Sequence, residues 1–216
     1  MDEELSSFET AQREIERRAM AAEPFVEFPK ISRLFRPVII TEKIDGTNAC
    51  VRVAPEGGIP VGTILVPGAG WVRAGSRTRW LTREQDNFGF AAWVEEHAKE
   101  LVALGPGTHF GEWWGRGIQR GYGLQERRFS LFNTSKWGDE KVRPACCSVV
   151  PVLSSWNRFD SGVIEEDIEQ LRKNGSVASP GFMKPEGVVV FHVAANLMFK
   201  VTVEKDEERK SEGRST

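Results

Sequence analysis

The sequence predicts an α+β fold in which short strands, joined by tight turns into antiparallel sheets, carry most of the structure and a few helices are set between them. Three observations lead there. Short apolar runs alternate with Gly, Pro and Asn turn signals from Val38 to Val203. Only three stretches, near Ser7, between Asn87 and Leu104 and between Glu165 and Lys173, keep a helical period. A chain of 216 residues that is 40% hydrophobic can bury one sizeable core without disulfides or metals.

In chain order, Phe8, Ala11, Ile15 and Ala19 recur at helical spacing behind Ser7, which can cap a short amphipathic helix ending before Pro24. Val38 to Glu42 and Ala49 to Val53 are strands around the polar turn Lys43-Ile44-Asp45-Gly46-Thr47-Asn48. Thr63 to Val66 and Trp71 to Ala74 form a hairpin across Pro67-Gly68-Ala69-Gly70. The helix from Asn87 to Leu104 shows Phe90, Trp93, Val94, Ala98 and Leu101 on one face and is stopped by Gly105-Pro106-Gly107. Thr108 to Trp114 is a strand that runs into a glycine-rich loop from Gly115 to Gly123. Arg128 to Asn133 and Ser148 to Leu153 read as strands, Glu165 to Lys173 as a helix closed by Asn174-Gly175, and Gly187 to Val193 with Leu197 to Val203 as a last pair of strands. The tail from Glu204 to Thr216 has nine charged residues in thirteen and no aromatics, a composition that predicts disorder.

The net charge of −2 excludes a uniformly basic nucleic-acid coat and leaves room for a local basic patch. Cys50, Cys146 and Cys147 are an odd set without zinc spacing, read as reduced thiols of an intracellular protein, and His97, His109 and His192 form no ligand spacing and read as structural. No run approaches the ~20 apolar residues of a membrane span, and the acidic start Met1-Asp2-Glu3-Glu4 is unlike a signal peptide. The expectation is a soluble, cytoplasmic protein.

Lys43, between two strands, is placed by rigid neighbours. A free lysine with pKa ~10.4 is almost wholly ammonium at neutral pH and no nucleophile, so chemical use of Lys43 requires burial or nearby cations to remove its proton. The competing reading is an ordinary Asp45-Gly46 hairpin turn with an edge-strand charge beside it. Five further segments follow in a fixed order: Ser76-Arg77-Thr78, Phe110-Gly111-Glu112 with Gly115-Arg116-Gly117-Ile118-Gln119, Phe129-Ser130-Leu131-Phe132-Asn133, Pro185-Glu186-Gly187-Val188-Val189-Val190, and Phe199-Lys200-Val201.

Together with the Lys43 turn, these segments resemble the covalent nucleotidyltransferase superfamily of ligases and RNA-capping enzymes, and most nearly the ATP-dependent RNA ligases of the phage RNA ligase 2 type. The resemblance runs from about Val38 to Val203. It implies an ATP-grasp-like nucleotidyltransferase domain of the DNA ligase and capping-enzyme type over residues 1–203, with antiparallel sheets around a nucleotide cleft. It implies ATP and Mg2+, with Mn2+ as a substitute, as cofactors, and RNA as partner, as a nicked duplex or annealed ends in need of repair.

On that resemblance, Lys43 carries AMP as a lysyl adduct, while Arg77 and Lys200 stabilise α-phosphate charge and by like-charge proximity lower the pKa of Lys43. Glu112 would hold the ribose hydroxyls, Glu186 would organise the metal ion, and Glu42 would accept from the adenine amino group. Phe132 is expected to stack on the base, with Phe129 as the competing choice. Asn48 would contact the strand end or phosphate, and Asp45 combines a structural role with a share in function. The family commonly has a lysine two residues before the position of Lys200, where this chain has Met198.

Arg73, Arg77, Arg79 and Arg83 interleave with Trp71 and Trp80, and Arg116, Arg120, Arg127 and Arg128 form a second cluster. Cations with aromatics suit a polynucleotide groove. The implied reaction joins RNA 3′-hydroxyl and 5′-phosphate ends through enzyme adenylation, AMP transfer to the 5′-phosphate and displacement of AMP. The alternatives are an ATP-dependent DNA ligase and a non-catalytic domain that binds nucleotide or RNA ends. No C-terminal OB-fold is expected after Lys200, so the strand-binding surface would be the arginine and tryptophan face or that of a partner.

Overall fold

The computed structural model describes residues 12–17, 25–58 and 60–204. The chain divides into two units, residues 1–32 and 33–216. In the first, residues 12–17 are helical, inside the range expected to be helical, and the remainder of that expectation lies outside the described residues. The charged tail from residue 205 onward also lies outside them.

The second unit is α+β. Its strands are β1 (Val38–Lys43), β2 (Thr47–Ala54), β3 (Ile64–Val66), β4 (Gly70–Ser76), β5 (Gly107–Gly115), β6 (Arg127–Leu131), β7 (Cys147–Val149), β8 (Val152–Trp156), β9 (Gly187–His192) and β10 (Leu197–Thr202). Its helices are α1 (Phe90–Glu96), α2 (Ala98–Leu101) with a 3-10 turn over Val102–Leu104, α3 (Thr134–Trp137) and α4 (Ser161–Asn174). The strands build two sheets, a four-stranded one in the order β10-β9-β1-β8 and a six-stranded one in the order β3-β4-β2-β5-β6-β7. Pairing is antiparallel except between β6 and β7, which run parallel.

Three expected elements come out differently. The stretch Ser148 to Leu153, read as one strand, is two. β7 belongs to the six-stranded sheet and β8 to the four-stranded one, with the switch at Val150-Pro151. Proline lacks the amide that a continuous ladder needs. The helix expected over Asn87–Leu104 starts at Phe90, where both carboxylate oxygens of Asp86 accept from the Ala91 and Ala92 amides, and breaks at His97, whose φ of −99° and ψ of 13° lie outside the α region. The last helix begins earlier than expected, at Ser161, because Asp160 accepts from the Gly162 amide as its N-cap. Arg172 and Lys173 in its last turn suit the negative end of the helix dipole.

Strand alternation assigns the faces. On the six-stranded sheet, Ala49, Val51, Val53, Val72, Ala74, Trp113, Phe129 and Leu131 are buried in one cluster with Phe90, Val94 and Leu101 of the α1–α2 layer. Phe90 packs with its ring centroid 5.3 Å from Trp113 and 5.1 Å from Phe129. Each such side chain contributes about 1.5–3 kcal/mol by leaving water. On the four-stranded sheet, Val38, Ile40, Val188 and Val190 pack against Ile168 and Leu171 of α4. A third cluster of Ile44, Trp114, Tyr122 and Val150 sits where the chain passes between the sheets. That passage happens twice among the labelled strands, at β1 to β2 and at β7 to β8.

Candidate active site

Lys43 is the last residue of β1, at the first of those two passages. In the ladder it lies opposite Gly187, and Thr41 lies opposite Val189, which in turn pairs with Lys200 on β10. Thr41, Lys43, Val189 and Lys200 therefore share the sheet face that α4 leaves uncovered. Glu186 precedes β9 and comes to rest beside Lys43, whose Nζ donates to Glu186 Oε2 at 2.5 Å, with the two side chains 24% and 17% exposed. Gly187 must be glycine here. Its φ is +157° and a Cβ would stand 2.1 Å from the Val201 carbonyl oxygen.

The turn after Lys43 is fixed from three directions. The Asp45 amide donates to the Tyr122 hydroxyl at 2.9 Å, and the Asp45 carboxylate accepts from Arg120 Nε at 2.9 Å. Arg120 also donates to the Lys184 carbonyl, tying the turn to the segment before Glu186. The Gly46 amide donates to Glu112 Oε1 at 3.1 Å, and a Cβ on Gly46 would lie 2.5 Å from the Trp113 carbonyl oxygen. The side chain that glycine lacks is what allows this close approach.

Glu112 lies opposite Asn48 in the β2–β5 ladder and accepts from Asn48 Nδ2 at 3.1 Å. Burial pushes its carboxyl up to about 7, against the pull of the Asn48 donor, the Lys43 charge and the Gly46 amide, with Glu186 adding a smaller push in the same direction as burial. Glu42 is 1% exposed. Its Oε1 accepts from the Ser176 hydroxyl at 2.6 Å, and its Oε2 accepts from the Val177 and Ala178 amides, both at 2.8 Å. Burial raises its carboxyl above the usual range, and those three donors hold it down.

Six of the residues singled out in the sequence, Glu42, Lys43, Asp45, Asn48, Glu112 and Glu186, thus stand on or around one turn. The others are spread along the faces that meet there. Arg77 is exposed in the turn after β4, and Lys200 is exposed on β10. Phe132 is 37% exposed and its amide donates to the Phe110 carbonyl, whereas Phe129 is fully buried in the helix-side cluster. A ring enclosed on all sides has no face to offer a ligand. Met198 is 68% exposed and shares the face of Lys200 two residues away.

Three residues that the sequence reading did not place in the site hold it together: Arg120, Tyr122 and Ser176. Tyr122 is the single tyrosine of the chain and lies between two glycines, and that isolation was the available signal. In the sequence Arg120 reads as one of a cluster of surface cations, and its commitment to Asp45 depends on a contact across 75 positions. Other members of the arginine clusters are also engaged. Arg127 donates to the Phe88 and Arg116 carbonyls, Arg79 to the Gln85 carbonyl, Arg83 pairs with Glu95, and the Arg73 guanidinium lies 4.7 Å from the Trp80 ring centre.

Comparison with known proteins identifies the fold and the family. Several solved structures of the RNA ligase of Naegleria gruberi share the fold. A mutant without ligand aligns with TM-score 0.54 and 17% identity, over 83% of this chain and 56% of that one. A mutant bound to ATP and Mn aligns with TM-score 0.55 and 15% identity, over 84% and 58%. A mutant bound to AMP and Mn aligns with TM-score 0.53 and 17% identity, over 87% and 60%. The chain thus spans somewhat over half the length of these structures. No match to a curated protein is found. The model of the family described as RNA ligase matches residues 36–213, a range that holds every strand and helix of the second unit, and the chain belongs to that family.

Proposed function

We propose that the chain is an ATP-dependent RNA ligase that carries AMP on Lys43. The observation that supports this most is the position of Lys43. Its Nζ touches Glu186, both side chains being largely buried, beside a turn that Tyr122, Arg120 and Glu112 hold from three sides. A nucleophile fixed this way can be set in line with a phosphorus atom, which is most of what phosphoryl transfer asks of a protein. Arg77 and Lys200 supply positive charge for the α-phosphate, Glu112 and Asn48 face the ribose and strand end, and Phe132 offers the stacking face. Glu42 has used three of about four lone-pair sites on the Ser176–Ala178 segment, and the remaining one on Oε1 is its share in choosing adenine over guanine. This arrangement is the ATP-grasp-like nucleotidyltransferase plan of the DNA ligase and capping-enzyme type.

The donors around Lys43 suit a hard divalent cation, because Asp45, Glu112 and Glu186 offer carboxylate oxygens and no sulfur or imidazole. Glu186 would hold Mg2+ or Mn2+, which when bound offsets phosphate charge and competes with Lys43 for the Glu186 carboxylate. In the reaction the neutral Lys43 amine would attack the α-phosphorus of ATP, forming the N–P bond as the α–β anhydride bond breaks and pyrophosphate leaves; AMP then passes to an RNA 5′-phosphate, regenerating the lysine, and is released when the 3′-hydroxyl attacks.

The test is intact mass after incubation with ATP and Mg2+. The expected result is a gain of one AMP that is lost in Lys43→Ala and weak or absent with GTP. An adduct that survives Lys43→Ala overturns the assignment. Sealing of a nicked DNA duplex in preference to a nicked RNA duplex overturns the choice of substrate.

A further inference from the structure

On the helix side of the six-stranded sheet, away from Lys43, the fold brings together four side chains that the sequence scatters. His97 sits at the break between α1 and α2, and Glu100 lies three residues on. Cys146 and Cys147 arrive from the start of β7. One ligand atom each from His97, Glu100 and Cys146 lie within 4.8 Å of one another. His97 Nδ1 is 3.0 Å from Glu100 Oε1, and the two cysteine sulfurs are 3.9 Å apart. We propose that His97, Glu100 and Cys146 form a three-ligand binding site for a zinc-like divalent metal, with water completing its shell, that pins the start of β7 to the α1–α2 junction.

The donor chemistry selects the ion. One imidazole, one carboxylate and one thiol suit borderline-soft Zn2+ and leave Mg2+ and Ca2+ poorly served. Bonds of about 2.0–2.3 Å from a tetrahedral zinc place two ligand atoms about 3.3–3.8 Å apart, so the observed spacings need side-chain adjustments of about an ångström or less. The site has an entry path and a support. The His97 and Glu100 side chains are 26% and 46% exposed, while the Trp93 ring, 4.9 Å from that of His97, backs the imidazole. Cys147 is buried, and Arg143 donates to its carbonyl, holding the backbone in place.

Binding involves no redox step. The metal replaces the thiol proton of Cys146, which passes to solvent. The Nδ1 proton of His97 moves to Nε2, so that Nδ1 can offer its lone pair where it now faces Glu100. The absence of a zinc spacing in the sequence is no obstacle, since two of the donors come from the helical layer and the third from the residue that leads into β7.

The test uses the full chain, stripped with chelator and then titrated with Co2+, whose bonds to thiolate give a near-ultraviolet charge-transfer band. Any oxygen-only site near Lys43 gives none. One equivalent with that band, displaced by Zn2+, is expected, with affinity more than tenfold weaker in Cys146→Ser and in Glu100→Gln. Cys50→Ser, which alters the cysteine on β2, should bind as the parent does. If Cys146→Ser does not fold, Glu100→Gln carries the same expectation. The absence of a thiolate band, or a band untouched by both Cys146→Ser and Glu100→Gln, overturns the proposal.

Discussion

Glu42 and Glu112 are the same residue type at nearly the same depth, 1% and 7% exposed, one on each of the two sheets that meet at Lys43. What separates them is the source of their donors. Glu42 is held by a hydroxyl and two amides of one short segment more than 130 positions away, so it fastens the loop after α4 to β1. Glu112 is held by the Gly46 amide and the Asn48 side chain, both in or beside the turn that carries Lys43. One carboxylate is spent on tertiary structure. The other is pushed by burial towards a neutral pKa and is bonded to the turn that carries Lys43.

Glu42→Ala should break this comparison most visibly. It leaves the buried Ser176 hydroxyl and the Val177 and Ala178 amides without their acceptor, at about 1–3 kcal/mol for the hydroxyl and less for the amides nearer solvent. A loss on the order of 4 kcal/mol in urea unfolding is expected, well beyond that of Glu112→Ala. Equal losses would mean that the segment from Ser176 to Ala178 finds other partners and that Glu42 is no fastener.

The next largest effect is one of pH. Because the folded-state pKa of Glu112 lies at about 7, above its ordinary value of 4.5, its contribution to stability is full below about 4.5 and is lost as pH rises through 7. Parent stability should fall over that window by on the order of 3 kcal/mol relative to Glu112→Gln, which has no such titration. Parallel pH profiles for the two proteins would show that Glu112 is ionised throughout.

A smaller effect sharpens the role of the turn. Arg120→Ala removes the pair with Asp45, whose partners are each 27% exposed, so screening limits the direct stability cost to about 1 kcal/mol or less. The rate of AMP transfer to Lys43 should fall further than stability does, because the turn loses one of its three supports. An unchanged adenylation rate would assign Arg120 to stability alone.

Much of the fold, and most of the residues that gather around the Lys43 turn, could be read from the sequence, for a physical reason. Lys43, Asp45 and Asn48 are neighbours in one turn, and Glu112 and Glu186 each lie in a distinctive strand-end segment, so local pattern carried them. Long-range contacts were not legible. The split of Ser148–Leu153 into strands of different sheets depends on which ladder each half joins, and the run of apolar residues across Val149, Val150 and Val152 hides it. Tyr122 and Ser176 serve the site only through partners that are distant in sequence. The short helix α3 escaped notice because its signal, the Asn133 side chain accepting from the Lys136 amide, is a single cap on a four-residue helix.

The two chain crossings between the sheets have a mechanical consequence. They lie side by side, since the Glu42 amide donates to the Pro151 carbonyl while the Val150 amide donates to the Leu131 carbonyl, and Ile44 and Val150 share one apolar cluster. Two adjacent strands of chain with packed side chains between them make a hinge pin. If one sheet swings relative to the other, Lys43 sits near the axis and hardly moves, while Lys200 and Phe132 sit out on the swinging leaves. Movement of the leaves would then change the separation of Lys200 and Phe132 without displacing Lys43. Spin labels at positions 132 and 200 should change separation when nucleotide is added, and labels at positions 44 and 150 should not.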